Sequence, residues 1–176
     1  FMEIEYYNFK KLPNFDLWLN EAKFGYSEIC LFCRNIPKGY NVLEIGCGSG
    51  ILLSLLSDNF KDLRFEGIEP FCSGFFHLKE INKLIKQKGI NISNINFDNF
   101  SSEHKFDLIF CVNVFEHLDN WRNFIMKAEK LLETSGKLII LCPNYGFPFE
   151  SHFSLPIIIN KKITACIFRK HIKTIK

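Results

Sequence analysis

The stretch that most restricts what this chain can fold into is Asn41-Val-Leu-Glu-Ile-Gly-Cys-Gly-Ser-Gly50, followed at once by Ile51-Leu-Leu-Ser-Leu-Leu56. A short apolar run closed by glycines reads as a buried strand, and Ile51, Leu52, Leu55 and Leu56 then recur at helical spacing. A strand that passes through a glycine turn straight into a helix is the first half of a strand–helix–strand unit with parallel strands. The remaining sequence repeats that alternation. Residues 14–35 place Phe15, Leu17, Trp18, Ala22, Ile29 and Cys33 on one helix, ended by Pro37-Lys-Gly39. Arg64–Ile68 predicts a second strand, and Ser73 would cap a helix reaching about Lys88, with Gly89 as its stop. Ile90–Phe97 predicts a third strand, Phe106–Val112 a fourth and Lys137–Cys142 a fifth. A helix over Leu118–Glu133, stopped by Gly136, precedes the last of them. The expectation is an α/β fold: a doubly wound, mainly parallel sheet with helices on both faces.

Folds of this kind hold ligands at the carboxyl ends of their strands, so the glycine spacing carries information. A dinucleotide turn has G-x-G-x-x-G. Here the glycines fall at 46, 48 and 50, position 51 is Ile, and that fingerprint fails. A phosphate-cradling loop would end in G-K-[ST], and no Lys follows. What remains is an acidic residue, Glu44, two positions ahead of G-x-G-x-G.

In that context the segment resembles the first motif of the class I S-adenosylmethionine-dependent methyltransferases. The resemblance implies that Glu44, Gly46, Gly48 and Gly50 lie beside the amino-acid part of S-adenosylmethionine, with Cys47 and Ser49 offering backbone groups. Glu69, nineteen residues after Gly50, ends the second strand near the spacing at which an acid meets ribose hydroxyls. Asp98 or Asn99 stands where the family places a partner for the adenine amino group. Phe106-Asp-Leu-Ile-Phe-Cys-Val-Asn-Val-Phe-Glu-His-Leu118 resembles the fourth-strand motif, which sets Asn113 and Val114 at the cofactor's border facing the substrate. The likeness runs over about residues 40–145. It implies a Rossmann-like methyltransferase in which residues 1–39 form a helical lid, 40–150 the cofactor domain and 151–176 a basic, apolar tail that starts a substrate-side segment. The family continues past its fifth strand with a helix and a hairpin. About thirty residues cannot supply these, so the C-terminal strands are expected to be missing and the fifth strand to be an edge. Phe1 ahead of Met2 likewise suggests a fragment boundary.

The implied reaction is methyl transfer to oxygen or nitrogen of a small-molecule or glycan-type acceptor. The alternatives are a cofactor-binding module acting with a partner and, disfavoured by the failed fingerprint, a nicotinamide-dependent oxidoreductase. If the acceptor is a hydroxyl, a base must take its proton. Glu116 and His117 are candidates, together with Tyr145, Glu150 and His152 in Pro143-Asn-Tyr-Gly-Phe-Pro-Phe-Glu-Ser-His152. Each has a plainer reading too: Glu116 suits the start of a helix, and His152 can pin its loop.

Charge and cysteines narrow the partners. The formal net charge is +3, yet residues 1–160 carry sixteen basic against nineteen acidic groups. The excess sits in Lys161, Lys162, Arg169, Lys170, Lys173 and Lys176. A mildly acidic body does not offer a groove for nucleic acid, although an amphipathic tail could touch an anionic membrane surface. Seven Cys, with Cys111 and Cys142 inside apolar runs, fit reduced buried thiols and a cytoplasmic location. Cys30 and Cys33 form a lone C-x-x-C without a second pair, so no metal site is expected. No leader with a basic start and apolar core is visible, and no apolar run approaches the ~20 residues of a membrane span.

Overall fold

A computed structural model of the chain describes residues 15–71, 78–143, 149–150, 155–156 and 167–168. Helix α1 spans Phe15–Cys33, followed by strand β1 (Asn41–Ile45), helix α2 (Ile51–Asn59) and strand β2 (Arg64–Ile68). Helix α3 (Leu78–Gln87), strand β3 (Asn91–Ser93), strand β4 (Phe106–Val112), helix α4 (Trp121–Leu131) and strand β5 (Leu132–Leu141) complete the series. The five strands form one sheet in the order β3-β2-β1-β4-β5, and every pairing is parallel. This is the doubly wound α/β sheet expected, with its switch point between β1 and β4, where the order reverses.

Alternation along the strands explains why both faces are covered. Val42, Phe65, Leu108 and Phe110 point to one side, into a core closed by α1, α2 and α3 through Leu19, Ile29, Leu53, Leu56, Ile81 and Ile85. Leu43, Ile45, Ile109 and Cys111 point to the other, where Phe124 and Ala128 of α4 pack with Phe97, Phe100 and Phe106. Asp107 ties the strand starts together: its Oδ2 accepts the Asn41 N–H at 2.9 Å. That bond gives a physical role to the Asp of the Phe-Asp-Leu sequence. The chain divides into two compact units, Phe1–Leu141 and Cys142–Lys176. The second contains the antiparallel pair Phe149–Glu150 with Leu155–Pro156.

Four sequence expectations are corrected. The third strand is Asn91–Ser93, not Ile90–Phe97; beyond it the Asn96 side chain accepts the Asp98 N–H at 3.0 Å and starts a 3-10 turn over Phe97–Asn99. That local side-chain bond outcompetes the sheet ladder. The helix expected over Leu118–Glu133 runs from Trp121 to Leu131, capped by Asn120, whose side chain accepts the Asn123 N–H. Gly136 is not its stop: β5 pairs immediately, Leu132 opposite Phe106, and Gly136 lies in the register shift before Lys137 meets Leu108. Cys142 is exposed, whereas Cys30, Cys33, Cys47 and Cys111 are buried free thiols. Among the described residues no helix is long and apolar enough to cross a membrane.

Candidate functional site

At the carboxyl end of β1 the chain turns back over β2. The N–H groups of Gly46 and Cys47 both donate to the Ile68 carbonyl, at 2.9 and 3.1 Å, and the Gly50 N–H donates to Cys47 O at 2.8 Å. Gly46, Gly48 and Gly50 have φ of 72°, 51° and 79°, left-handed values that glycine adopts freely. At Gly46 a side chain would also run into the methyl groups of Val114, just beyond β4. The turn therefore closes across the switch point, where a crevice between β1 and β4 is expected.

Two carboxylates meet this turn. Glu69, just past β2, accepts the Gly48 N–H with Oε2 at 3.0 Å and the Phe71 N–H with Oε1 at 3.2 Å. Burial pushes its pKa up, and the two backbone N–H groups pull it part of the way back. Glu44 lies on β1 opposite Gly67 and Phe110 and is 4% exposed. Its Oε2 is buried with no hydrogen-bond partner among the described residues. Burial first, and then the charge of Glu69, pushes its pKa well above the usual carboxylate range. Burial does the same to the Cys47 thiol, helped by both carboxylates. An anion buried without a counter-charge is unfavourable unless it holds a proton or faces a cation. The arrangement can thus receive a cationic group near Glu44 and hydroxyl donors at Glu69, whose remaining lone pairs accept no hydrogen bond from the described residues.

The structure brings Glu44, Gly46, Cys47, Gly48, Gly50 and Glu69 together, with Asn113 and Val114 at their border. Asn113 carries φ 54° and donates its N–H to Leu141 O at 2.9 Å. A left-handed asparagine directly after a strand is a strained position of the sort found at binding sites. Glu116 and His117 follow in a 3-10 turn over Phe115–His117, and Glu116 Oε2 is likewise buried without a partner. Asp98 is exposed and tied to α4: its Oδ1 accepts from Asn123 Nδ2 at 3.4 Å, and its carbonyl accepts from Lys127 Nζ at 2.6 Å. Tyr145, His152, the side chain of Glu150, the Ser73 cap and most of the tail lie outside the described residues.

Two residues at the site were not singled out from sequence. Gly67 of β2 faces Cys47, and a Cβ there would come within 2.7 Å of the Cys47 Sγ and 2.6 Å of Leu53 Cδ1. A glycine inside an apolar strand was the available signal, since it marks a close approach. Phe71, with φ 45°, gave none, because nothing about a phenylalanine announces a left-handed backbone.

The profile of a family described as a methyltransferase domain matches residues 19–162. An uncharacterized protein of Mycobacterium tuberculosis is 29% identical over 156 residues, covering 87% of this chain and 53% of its own length. The (S)-coclaurine N-methyltransferase of Papaver somniferum is 24% identical over 69% of this chain and 35% of its own. The malonyl-[acyl-carrier protein] O-methyltransferase 1 of Ilyobacter polytropus is 26% identical over 70% of this chain and 46% of its own. The chain thus spans about half the length, or less, of these relatives. Among solved structures, a plantazolicin methyltransferase in complex with a pentazolic desmethylPZN analog and SAH superposes with a TM-score of 0.58. It shares 20% identity over 95% of this chain and 61% of its own.

Proposed function

The chain belongs to the methyltransferase-domain family, and on that premise we propose that it transfers the methyl group of S-adenosylmethionine to a small-molecule or glycan-type acceptor, at oxygen or nitrogen. The observation that carries the reading is the carboxylate pair at the glycine turn, Glu69 bonded to Gly48 and Glu44 holding a buried oxygen with no partner. The residues fit the cofactor. An ammonium group would satisfy Glu44, ribose hydroxyls would meet the lone pairs of Glu69 that no described residue takes, and Gly46 and Gly48 carry the left-handed turn without a Cβ of their own.

When bound, the cofactor supplies a methyl group already activated on sulfur. The chain's contribution is to fix its partners in line and keep water away. The glycine turn and Glu69 would fix the donor, while Asn113 and Val114, at the end of β4, would face the acceptor. Glu116 is a candidate base for a hydroxyl acceptor, since its buried Oε2 has no hydrogen-bond partner among the described residues. The names of the relatives, an N- and an O-methyltransferase, support either acceptor atom. The alternative is a cofactor-binding module that acts with a partner and binds the cofactor without turnover.

Calorimetric titration with S-adenosylhomocysteine and with NAD tests the cofactor. Heat for the first alone is expected, and heat for NAD alone would overturn the reading. Methyl release with a panel of alcohols and amines then separates the enzyme from the module, which would bind without turnover. In that assay Glu116→Gln should lower kcat by about 10²- to 10⁴-fold on a hydroxyl acceptor, the usual worth of a general base. Its affinity for S-adenosylhomocysteine should stay within twofold; an unchanged kcat would remove Glu116 from the role.

A further inference from the structure

We propose that Glu69 is a positioning residue, a clasp that assembles the cofactor-facing pocket before any ligand arrives. The proposal builds on the cofactor reading but concerns the ligand-free chain, so each can fail without the other. The two carboxylate oxygens work separately. Oε2 holds the Gly48 N–H of the glycine turn and Oε1 holds the Phe71 N–H of the β2–α3 connection. These donors lie on different connections, one 21 residues before Glu69 and the other two after it. The clasp is itself anchored to the sheet, since the Glu69 N–H donates to Ser93 O of β3 at 3.1 Å.

Both held segments need holding. Gly48 has φ 51°, and a glycine in that region has the most freedom to leave it. Phe71 has φ 45°, disfavoured for any residue with a Cβ, yet its side chain is 4% exposed and packs in the core closed by α1, α2 and α3. A strained backbone of this kind persists only where its surroundings over-determine it. Bonds from N–H to an ionised acceptor are stronger than neutral ones, and at this site both donors point at the same carboxylate. Glutamine could not replace it, because its amide nitrogen would turn a donor toward one of the two N–H groups. Among the described residues nothing takes the other two of the carboxylate's roughly four acceptor positions, so holding the loops and receiving a ligand do not compete.

The test is amide hydrogen exchange on the full chain without ligand, read residue by residue by NMR, with the β1 amides as internal reference. In the wild type, Gly48 and Phe71 should both be protected. Glu69→Ala should speed exchange at both by at least tenfold, and Glu69→Gln at one of them, while the β1 amides change by less than twofold. If Glu69→Ala does not fold, the wild type and Glu69→Gln decide. Unprotected Gly48 and Phe71 in the ligand-free wild type would overturn the proposal. So would a Glu69→Gln variant that weakens S-adenosylhomocysteine binding with both amides unchanged, the pattern of a residue that touches only the ligand.

Discussion

The connections that follow β1 and β2 are built differently from those that follow β3 and β4, although all four open on the same edge of the sheet. The first pair is fixed by backbone: glycines in left-handed conformations, N–H groups gathered on the Ile68 carbonyl and the Glu69 carboxylate, and two buried acids beneath. The second pair is fixed by side chains at a distance. Phe97 and Phe115 both pack on Phe124 of α4, with ring centroids 5.0 and 5.8 Å away, while Asp98 stays exposed and Glu116 and His117 are half-buried or exposed. A backbone-built half suits a ligand that does not vary. A half that hangs from aromatic anchors can exchange its polar residues without losing the fold, which suits the acceptor.

The strongest way to break this comparison is to put a side chain into the backbone-built half. Gly46→Val places a β-branched residue at φ 72° and drives it into Val114. The left-handed penalty and the overpacking together should cost about 2–5 kcal/mol. Binding of S-adenosylhomocysteine should be lost, and the urea midpoint should fall with an unchanged m-value. Near wild-type affinity in this variant would mean that the turn does not border the ligand.

The two halves also differed in how much of them could be read from sequence. The glycine turn, Glu44, Glu69 and the strands β1, β2 and β4 were legible, because a buried parallel strand is a nearly continuous apolar run and a left-handed turn calls for glycine. The third strand was over-read: Ile90 and Ile92 alternate and so do Ile95 and Phe97, but the parity changes between the two pairs, and the strand stops at Ser93 before the turn that the Asn96 side chain starts. The setting of Asp98 was not legible, because its partners Asn123 and Lys127 lie 25 and 29 residues away on α4. Nor was the asymmetry between Glu44 and Glu69. Glu44 reads as an acid inside the first strand and Glu69 as one that ends the second, and only packing shows that Glu69 has two N–H partners while Glu44 has an oxygen with none among the described residues.

That asymmetry gives a prediction in pH. Burial and Glu69 raise the pKa of Glu44 in the folded chain well above the usual carboxylate range. The ligand-free fold therefore keeps a proton that the unfolded chain releases, so this contribution is complete below about pH 4.5 and is lost as pH rises through the folded pKa. Burial of Glu69 shifts stability in the same direction, and the Cys47 thiol is pushed above its ordinary alkaline range, beyond the pH to be measured. Between pH 5 and 8 the wild type should lose stability relative to Glu44→Gln, with the two curves converging toward pH 5. Urea unfolding of both proteins across that range checks it, and parallel curves would show that Glu44 gains no proton on folding. The same variant should bind S-adenosylhomocysteine more weakly, because a neutral amide cannot answer an ammonium.

The smallest expected effect lies in the half hung from side chains. Asp98→Ala removes one exposed side-chain hydrogen bond, the 3.4 Å contact with Asn123 Nδ2, and leaves the carbonyl bond from Lys127 in place. Its stability change should stay within about 0.5 kcal/mol, as for most surface substitutions. If Asp98 also receives the adenine amino group, it supplies a single exposed hydrogen bond, worth about 0.5–1.5 kcal/mol and so about two- to tenfold in affinity. Titration of Asp98→Ala with S-adenosylhomocysteine and with S-adenosylmethionine should give that modest loss, equal for both because the methyl group is far from the base. A loss beyond a hundredfold would show that the loop after β3 is as rigidly built as the glycine turn, and the contrast between the halves would fail. Unchanged affinity would instead leave Asp98 to its α4 contacts alone, with the adenine edge recognised by backbone groups. The contrast would then be sharper, since every group that fixes the cofactor would be backbone or one of the two buried acids.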